Sequence, residues 1–279
     1  MSAITPAKLQ LRIVPTACLR LHEEHDPYRV ERLARAFRRE GRQRNPIIVA
    51  EGVEDKSYIV LDGATRTSTL RKLGIRDALV QIVDYFSDAV ELKVWHHVVV
   101  GFPGHRILSQ IAELRDLHLQ EARQPRGPDW LQEAHIVACI TLRDQREYVL
   151  HCQGDINCQA KRLCQFVGIY KGKAEVHRTA ELDMPQLLEQ YPDLSAVVAF
   201  PTFTPAEIMR IAANGNKVPM GITRHIIKGR ALGLGVSLEM LDAPLPLEEK
   251  NAWLQERIRQ RVRANKVRFY QEPVIIFDE

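Results

Sequence analysis

The sequence predicts an α+β protein of two domains, the second a mixed α/β unit, and three observations predict it. Its 279 residues exceed the roughly 100–200 of a typical domain. Short β-branched runs are interspersed with segments of helical periodicity from the first residues onward. A charged stretch with two prolines and a glycine, EARQPRGPD at 121–129, breaks the pattern and divides the chain into 1–125 and 126–279.

The elements follow in order. LRIVP, beginning at Leu11, reads as a strand. Asp26 then Pro27 marks a helix start, an N-cap followed by proline in the first turn. Val30, Leu33, Ala34 and Phe37 form one apolar helical face, and Gly41 is placed to end that helix. PIIVA (46–50) and YIVL (58–61) are two strands about a polar turn, a hairpin or neighbours in one sheet. TRTSTLRKL (65–73) reads as a helix closed by Gly74, and ALVQIVDY (78–85) as a strand. DAVELKVWHHVV (88–99) and IAELRDLHLQ (111–120) are expected to be helical. Beyond the boundary, AHIVACITL and REYVLHC predict a hairpin, INCQAKRLCQFVGIY a helix and SAVVAF (195–200) a strand. Thr204-Pro205-Ala206-Glu207 is a capping box that opens a helix running to Asn214-Gly215. GITRHIIKGR (221–230) is a mixed segment, 247–265 a charged helix, and PVIIF (273–277) a closing strand.

Composition sets limits on function. Apolar residues make up 45% and charged residues 27%, which excludes a disordered tail, a collagen-like chain and a small disulfide scaffold. No apolar run approaches the roughly 18–20 residues that cross a bilayer. The first fifteen residues carry neither a basic region nor a long apolar stretch, so no signal peptide is expected. Five scattered cysteines predict reduced thiols and a cytoplasmic location. Cys152, Cys158 and Cys164 are spaced C-x5-C-x5-C, which does not match the paired C-x2-C of structural zinc. The formal charge of +4 is mild. Arg29, Arg32, Arg35, Arg38 and Arg39 decorate the first helix, as a solvated face or a face for an acidic partner.

The segment that carries chemistry is Leu61-Asp62-Gly63-Ala64-Thr65-Arg66, where a strand ends and a helix begins. A helix N-terminus offers unpaired N–H groups and partial positive charge to an anion. Gly63 allows close backbone approach, Thr65 adds a hydroxyl, and Arg66 adds a guanidinium suited to phosphate. Asp62 would repel a phosphate unless a cation intervened, which points to Mg²⁺ with Asp62 as its ligand.

From His22-Glu23-Glu24 through Asn45-Pro46 to the strand–Gly63-x-x-Arg66–helix motif, residues 11–86 resemble the ParB/sulfiredoxin-like nucleotide-binding fold. Thr65 stands where sulfiredoxins need their cysteine, and no helix-turn-helix of the partition proteins follows. His22-Glu23, Asp62–Arg66, Val80–Tyr85, Trp95-His96-His97, Gly221–His225 and Phe269–Pro273 are similar to the free-serine kinases of this fold, including those of staphyloferrin B siderophore clusters.

That resemblance implies a free L-serine kinase, using ATP or ADP and Mg²⁺ to make O-phospho-L-serine for the siderophore precursor 2,3-diaminopropionate. It implies Gly63, Ala64, Thr65, Arg66 and Asp62 at the nucleotide, and Glu23 as the catalytic base beside Asp62. Glu24 is the competing choice for the base. Thr223, Arg224 and His225 are implied at the serine carboxylate and ammonium, with Asn45, Trp95 and His97 in the same substrate pocket. The expected partners are nucleotide and free serine, with a homodimer admitted and no membrane. The alternative is a nucleotide-dependent DNA-binding regulator of the ParB type.

Overall fold

The computed structural model describes residues 9–53, 56–122, 133 and 135–268. The expected closing strand at 273–277, the Phe269–Pro273 motif and most of the stretch at 121–129 lie outside the described residues.

The first sheet is built from β1 (Gln10–Pro15), β2 (Leu19–Leu21), β4 (Ile47–Glu51), β5 (Tyr58–Asp62) and β6 (Asp77–Ile82), with β3 (Arg42–Gln43) beside it. Its order is β1-β6-β4-β5-β2. Two helices accompany it. The helix α1 (Pro27–Glu40) is capped by the Asp26 carboxylate, which accepts from the Tyr28 N–H, and ends at Gly41 with φ 63°. The helix α2 (Ala64–Lys72) follows β5 directly.

Both faces of this sheet are buried, which explains why PIIVA and YIVL read as continuous apolar runs. Ile47, Val49 and Val60 pack with Phe37 of α1 and Leu70 of α2. The alternate residues Ile48, Ile59 and Leu61 face the opposite way, into a core shared with the rest of the chain.

That larger core lies against a second sheet. It comprises β8 (His96–Val100), β9 (Leu117–Glu121), β10 (Ile136–Leu142), β11 (Glu147–Cys152), β12 (Glu175–Thr179) and β13 (Leu194–Ala199), in the order β12-β8-β13-β10-β11-β9. The helices α3 (Gly104–Ala112), α4 (Ile156–Gly168), α5 (Met184–Gln190) and α6 (Pro205–Ala213) belong to this half, and Thr204 closes the expected capping box with Glu207. The strands pass from one sheet to the other between β6 and β8.

Residues 88–99 are not a helix. They form β7 (Val90–Val94) and β8. Burial in β7 alternates with period two, Glu91 and Lys93 outward, and β8 is a central strand covered on both sides. Valines at 90, 94, 98, 99 and 100 suit that pleated environment better than a helix. Residues 111–120 likewise divide into the end of α3 and the strand β9.

The C-terminal part returns to the first sheet. The strand β14 (Thr223–Ile227) pairs with β7, and β15 (Val236–Ser237) with β3. After α7 (Leu238–Asp242), α8 (Leu247–Arg263) lays Leu254 against Leu11, Ile13 and Leu79. Its Lys250 is fully buried, and Nζ donates to Asp77 at 2.5 Å and to the Leu241 carbonyl at 2.9 Å.

Candidate active site

Strand β2 lies parallel to β5, with Leu21 opposite Val60. Parallel pairing sends both chains out at the same sheet edge, so His22-Glu23-Glu24 emerges beside Asp62-Gly63. A third segment lies alongside: the Val218 N–H donates to the His22 carbonyl at 2.8 Å, and the Glu24 N–H to the Val218 carbonyl at 2.9 Å. These three chain segments and α2 enclose a cavity of about 270 Å³. One wall is Asp62, Gly63, Ala64, Thr65 and Arg66; the other includes Glu23, Glu24, His25, Arg178 and Met220, with Arg29 at the rim.

The first wall is an open helix N-terminus. Gly63 has φ 109° and no side chain caps α2. The first N–H inside the helix to find a carbonyl is that of Thr67, bonded to Gly63 at 2.9 Å. Among the described residues the amides of Ala64, Thr65 and Arg66 find no acceptor, as expected at a helix start. A side chain at 63 would meet the movable Arg66 guanidinium at 3.0 Å, so it is chiefly the φ of 109° that favours glycine there.

Arg66 is more committed than the sequence implied. It donates to Asp62 at 3.0 Å and to the Pro46 carbonyl at 3.0 Å. Arg230 donates to the same Asp62 oxygen, Oδ2. Burial raises the Asp62 pKa, but the charges and hydrogen bonds of Arg66 and Arg230 outweigh it and hold the carboxyl below its ordinary range. Asp62 thus stays ionised, with both guanidinium contacts falling on Oδ2.

The two glutamates are held differently. Glu23 Oε2 accepts from the Gly221 N–H at 3.2 Å and from the Thr223 hydroxyl at 3.1 Å. Thr223 Oγ1 also lies 2.9 Å from His22 Nε2, and His22 Nδ1 lies 2.5 Å from the Val60 carbonyl. A carbonyl only accepts, so Nδ1 carries the proton and the ring is fixed in orientation. Glu24 is instead ion-paired with Lys171 at 2.8 Å.

The other sequence-derived residues stand at varying distance from this cavity. Thr223 reaches Glu23 directly. His225 stands one layer back, bonded through Nε2 to the Tyr85 hydroxyl at 2.7 Å, and burial together with the nearby His22 lowers its pKa to about 3. Arg224 stacks over Trp95 at 4.2 Å, and neither lines the cavity. Asn45 accepts from the Gly233 N–H at 2.8 Å, a loop clamp. His97 is a core residue, packed on Phe200 and bonded to the Tyr170 hydroxyl at 2.9 Å, and burial pushes its pKa down to about 3. Asn45, Trp95, His97, Arg224 and His225 are thus not among the residues that line this cavity. Arg178 and Lys171 were missed because each is a single basic residue outside any local motif, and Arg230 because, although it ends the 221–230 segment, nothing local ties it to Asp62.

The sheet order, the β5–Gly63–α2 turn and the helices behind it define the ParB/sulfiredoxin-like fold class. No family model matches the chain. The chain is similar to the ATP-dependent L-serine kinase SbnI of Staphylococcus aureus, 28% identical over 246 residues, covering 88% of this chain and 89% of that protein. Among solved structures, C-terminally truncated SbnI from the same organism superposes with a TM-score of 0.70 at 24% identity, covering 90% of this chain and 97% of that one. A free serine kinase in complex with AMP gives 0.69 at 19% identity, covering 83% and 93%.

Proposed function

We propose that this chain is a free L-serine kinase, transferring the terminal phosphoryl group of ATP or ADP to the serine hydroxyl. The observation that carries the reading is the convergence of a braced, ionisable carboxylate, Glu23, and an open helix N-terminus, α2, on one cavity. Similarity over most of the chain to a protein named an ATP-dependent L-serine kinase supports the same activity and favours ATP as donor.

The chemistry follows from these parts. The nucleotide phosphates bind the amides of Ala64, Thr65 and Arg66, where each charge-assisted hydrogen bond contributes about 1.5–3 kcal/mol. The serine hydroxyl lies over Glu23. Its proton passes to the Glu23 carboxylate as its oxygen bonds to phosphorus, and the bond from phosphorus to the leaving nucleotide oxygen breaks. The products are O-phospho-L-serine and the shortened nucleotide. Thr223 and the Gly221 N–H fix the carboxylate so that little reorganisation is needed when the proton moves.

Mg²⁺ fits this site. Magnesium is commonly held by one or two carboxylates together with substrate phosphates, and Asp62 offers an ionised carboxylate at the cavity wall. When bound it supplies charge neutralisation on the phosphates. The product suits a cytoplasmic route to a siderophore precursor such as 2,3-diaminopropionate.

A coupled assay of nucleotide consumption with and without L-serine tests the proposal. Serine-dependent turnover is expected; turnover indifferent to serine would remove it.

A further inference from the structure

We propose that Arg178 binds the transferring phosphoryl group, a role that rests on the kinase reading. The cavity contains or borders several cations, and most are already committed. Arg66 and Arg230 both spend a guanidinium on Asp62, and Lys171 is paired with Glu24. Arg29, at the rim, lies 3.8 Å from Asp26 and is largely exposed. Arg178 projects from β12 into the cavity, and among the described residues no carboxylate comes within ion-pairing distance of it.

The backbone is cut away to admit this guanidinium. Gly221 has φ 80°, and a Cβ built on it would collide with the Arg178 guanidinium. The same glycine donates its N–H to Glu23. Arg178 therefore lies on the Glu23 side of the cavity, close enough that the Glu23 charge acts on it.

Charge balance then selects the ligand. The phosphoryl group must sit between the phosphates at α2 and the hydroxyl over Glu23. An ionised base at that point repels the anionic phosphoryl oxygens. A guanidinium beside the base offsets that repulsion and stabilises the charge spread over the equatorial oxygens during transfer.

The test compares wild-type protein with Arg178→Ala and Arg178→Lys. Kinetics with L-serine are combined with calorimetry using ATP, ADP and AMP in the presence of Mg²⁺. Arg178→Ala is expected to lower kcat by roughly 10²–10³, to leave the KM for serine within a few-fold, and to spare AMP affinity. Affinity for the nucleotide that carries the transferable phosphoryl should fall about tenfold or more. Arg178→Lys should recover part of kcat. A raised serine KM with intact kcat would overturn the role and make Arg178 a clamp for the serine carboxylate. Equal loss of AMP and ATP affinity would overturn it in favour of a structural role. Serine-dependent turnover in the wild type together with an unimpaired Arg178→Ala enzyme refutes the Arg178 role alone. A wild-type protein without serine-dependent turnover refutes the kinase reading and this role with it.

Discussion

Replacing Glu23 by glutamine separates basicity from architecture. The amide keeps the shape of the carboxylate and an oxygen for the Gly221 N–H at 3.2 Å and the Thr223 hydroxyl at 3.1 Å. What it loses is charge and the capacity to take a proton. The two hydrogen bonds survive in neutral form, so stability should drop by only about 1 kcal/mol. A positioned general base contributes about 10²–10⁴ in rate, equivalent to about 3–5 kcal/mol of barrier. Phosphoserine formation should therefore fall by that factor while the unfolding midpoint hardly moves. Nucleotide affinity should hold or rise slightly, since one negative charge has left the cavity. Glu24→Gln is the control. Its ion pair with Lys171 is more than one-third exposed on both sides, so its loss costs under about 1 kcal/mol and activity should stay within a few-fold. Near wild-type turnover by Glu23→Gln would refute the base assignment; loss confined to Glu24→Gln would move the base one residue along.

Thr223→Val removes the hydroxyl that braces Glu23 and meets His22, so kcat should fall about tenfold, with calorimetry showing unchanged nucleotide affinity. Gly63→Ala places a methyl 3.0 Å from Arg66 Nε at φ 109°; calorimetry should show nucleotide affinity reduced at least tenfold, and thermal unfolding a loss of about 1–2 kcal/mol. Acid should destabilise the fold through its buried histidines. Burial lowers His96 to about 4 and His97 to about 3, so the unfolded chain takes up protons below pH 6.5 that the native state refuses. Stability should thus fall as the pH drops from 6.5 toward 4, by up to about 1.4 kcal/mol per pH unit for each ring. Denaturant titrations at pH 5 and pH 7 measure this, and His97→Gln should flatten the dependence.

What the sequence revealed of the site depended on how local each signal was. Asp62-Gly63-Ala64-Thr65-Arg66 was legible because one strand end and one helix start hold all its chemistry, and the structure has them lining one wall. The meeting of that wall with Glu23 rests on the parallel pairing of β2 and β5, and β2 is a three-residue strand too short to show a pattern. Reading 88–99 as a helix misplaced two side chains. Trp95 lies at the break between β7 and β8, where it meets Arg224, while His97 lies within β8 and enters the core. Arg178 comes from an isolated position that tertiary folding alone brings to the cavity, and tertiary folding likewise brings Arg230, at the end of the 221–230 segment, to Asp62. The trace of Arg178 in the sequence is indirect: Gly221, in the singled-out 221–230 segment, is the residue that makes room for it.

Phosphorylation of the hydroxyl of free serine is the reaction proposed for this cavity. Mass spectrometry of the products formed from a panel of free amino acids, with ATP or ADP and Mg²⁺, tests it directly. O-phospho-L-serine is expected from L-serine, and no phosphorylated product from alanine, which has no hydroxyl. An unmodified serine pool beside intact nucleotide, from a folded protein that binds ATP, would contradict it.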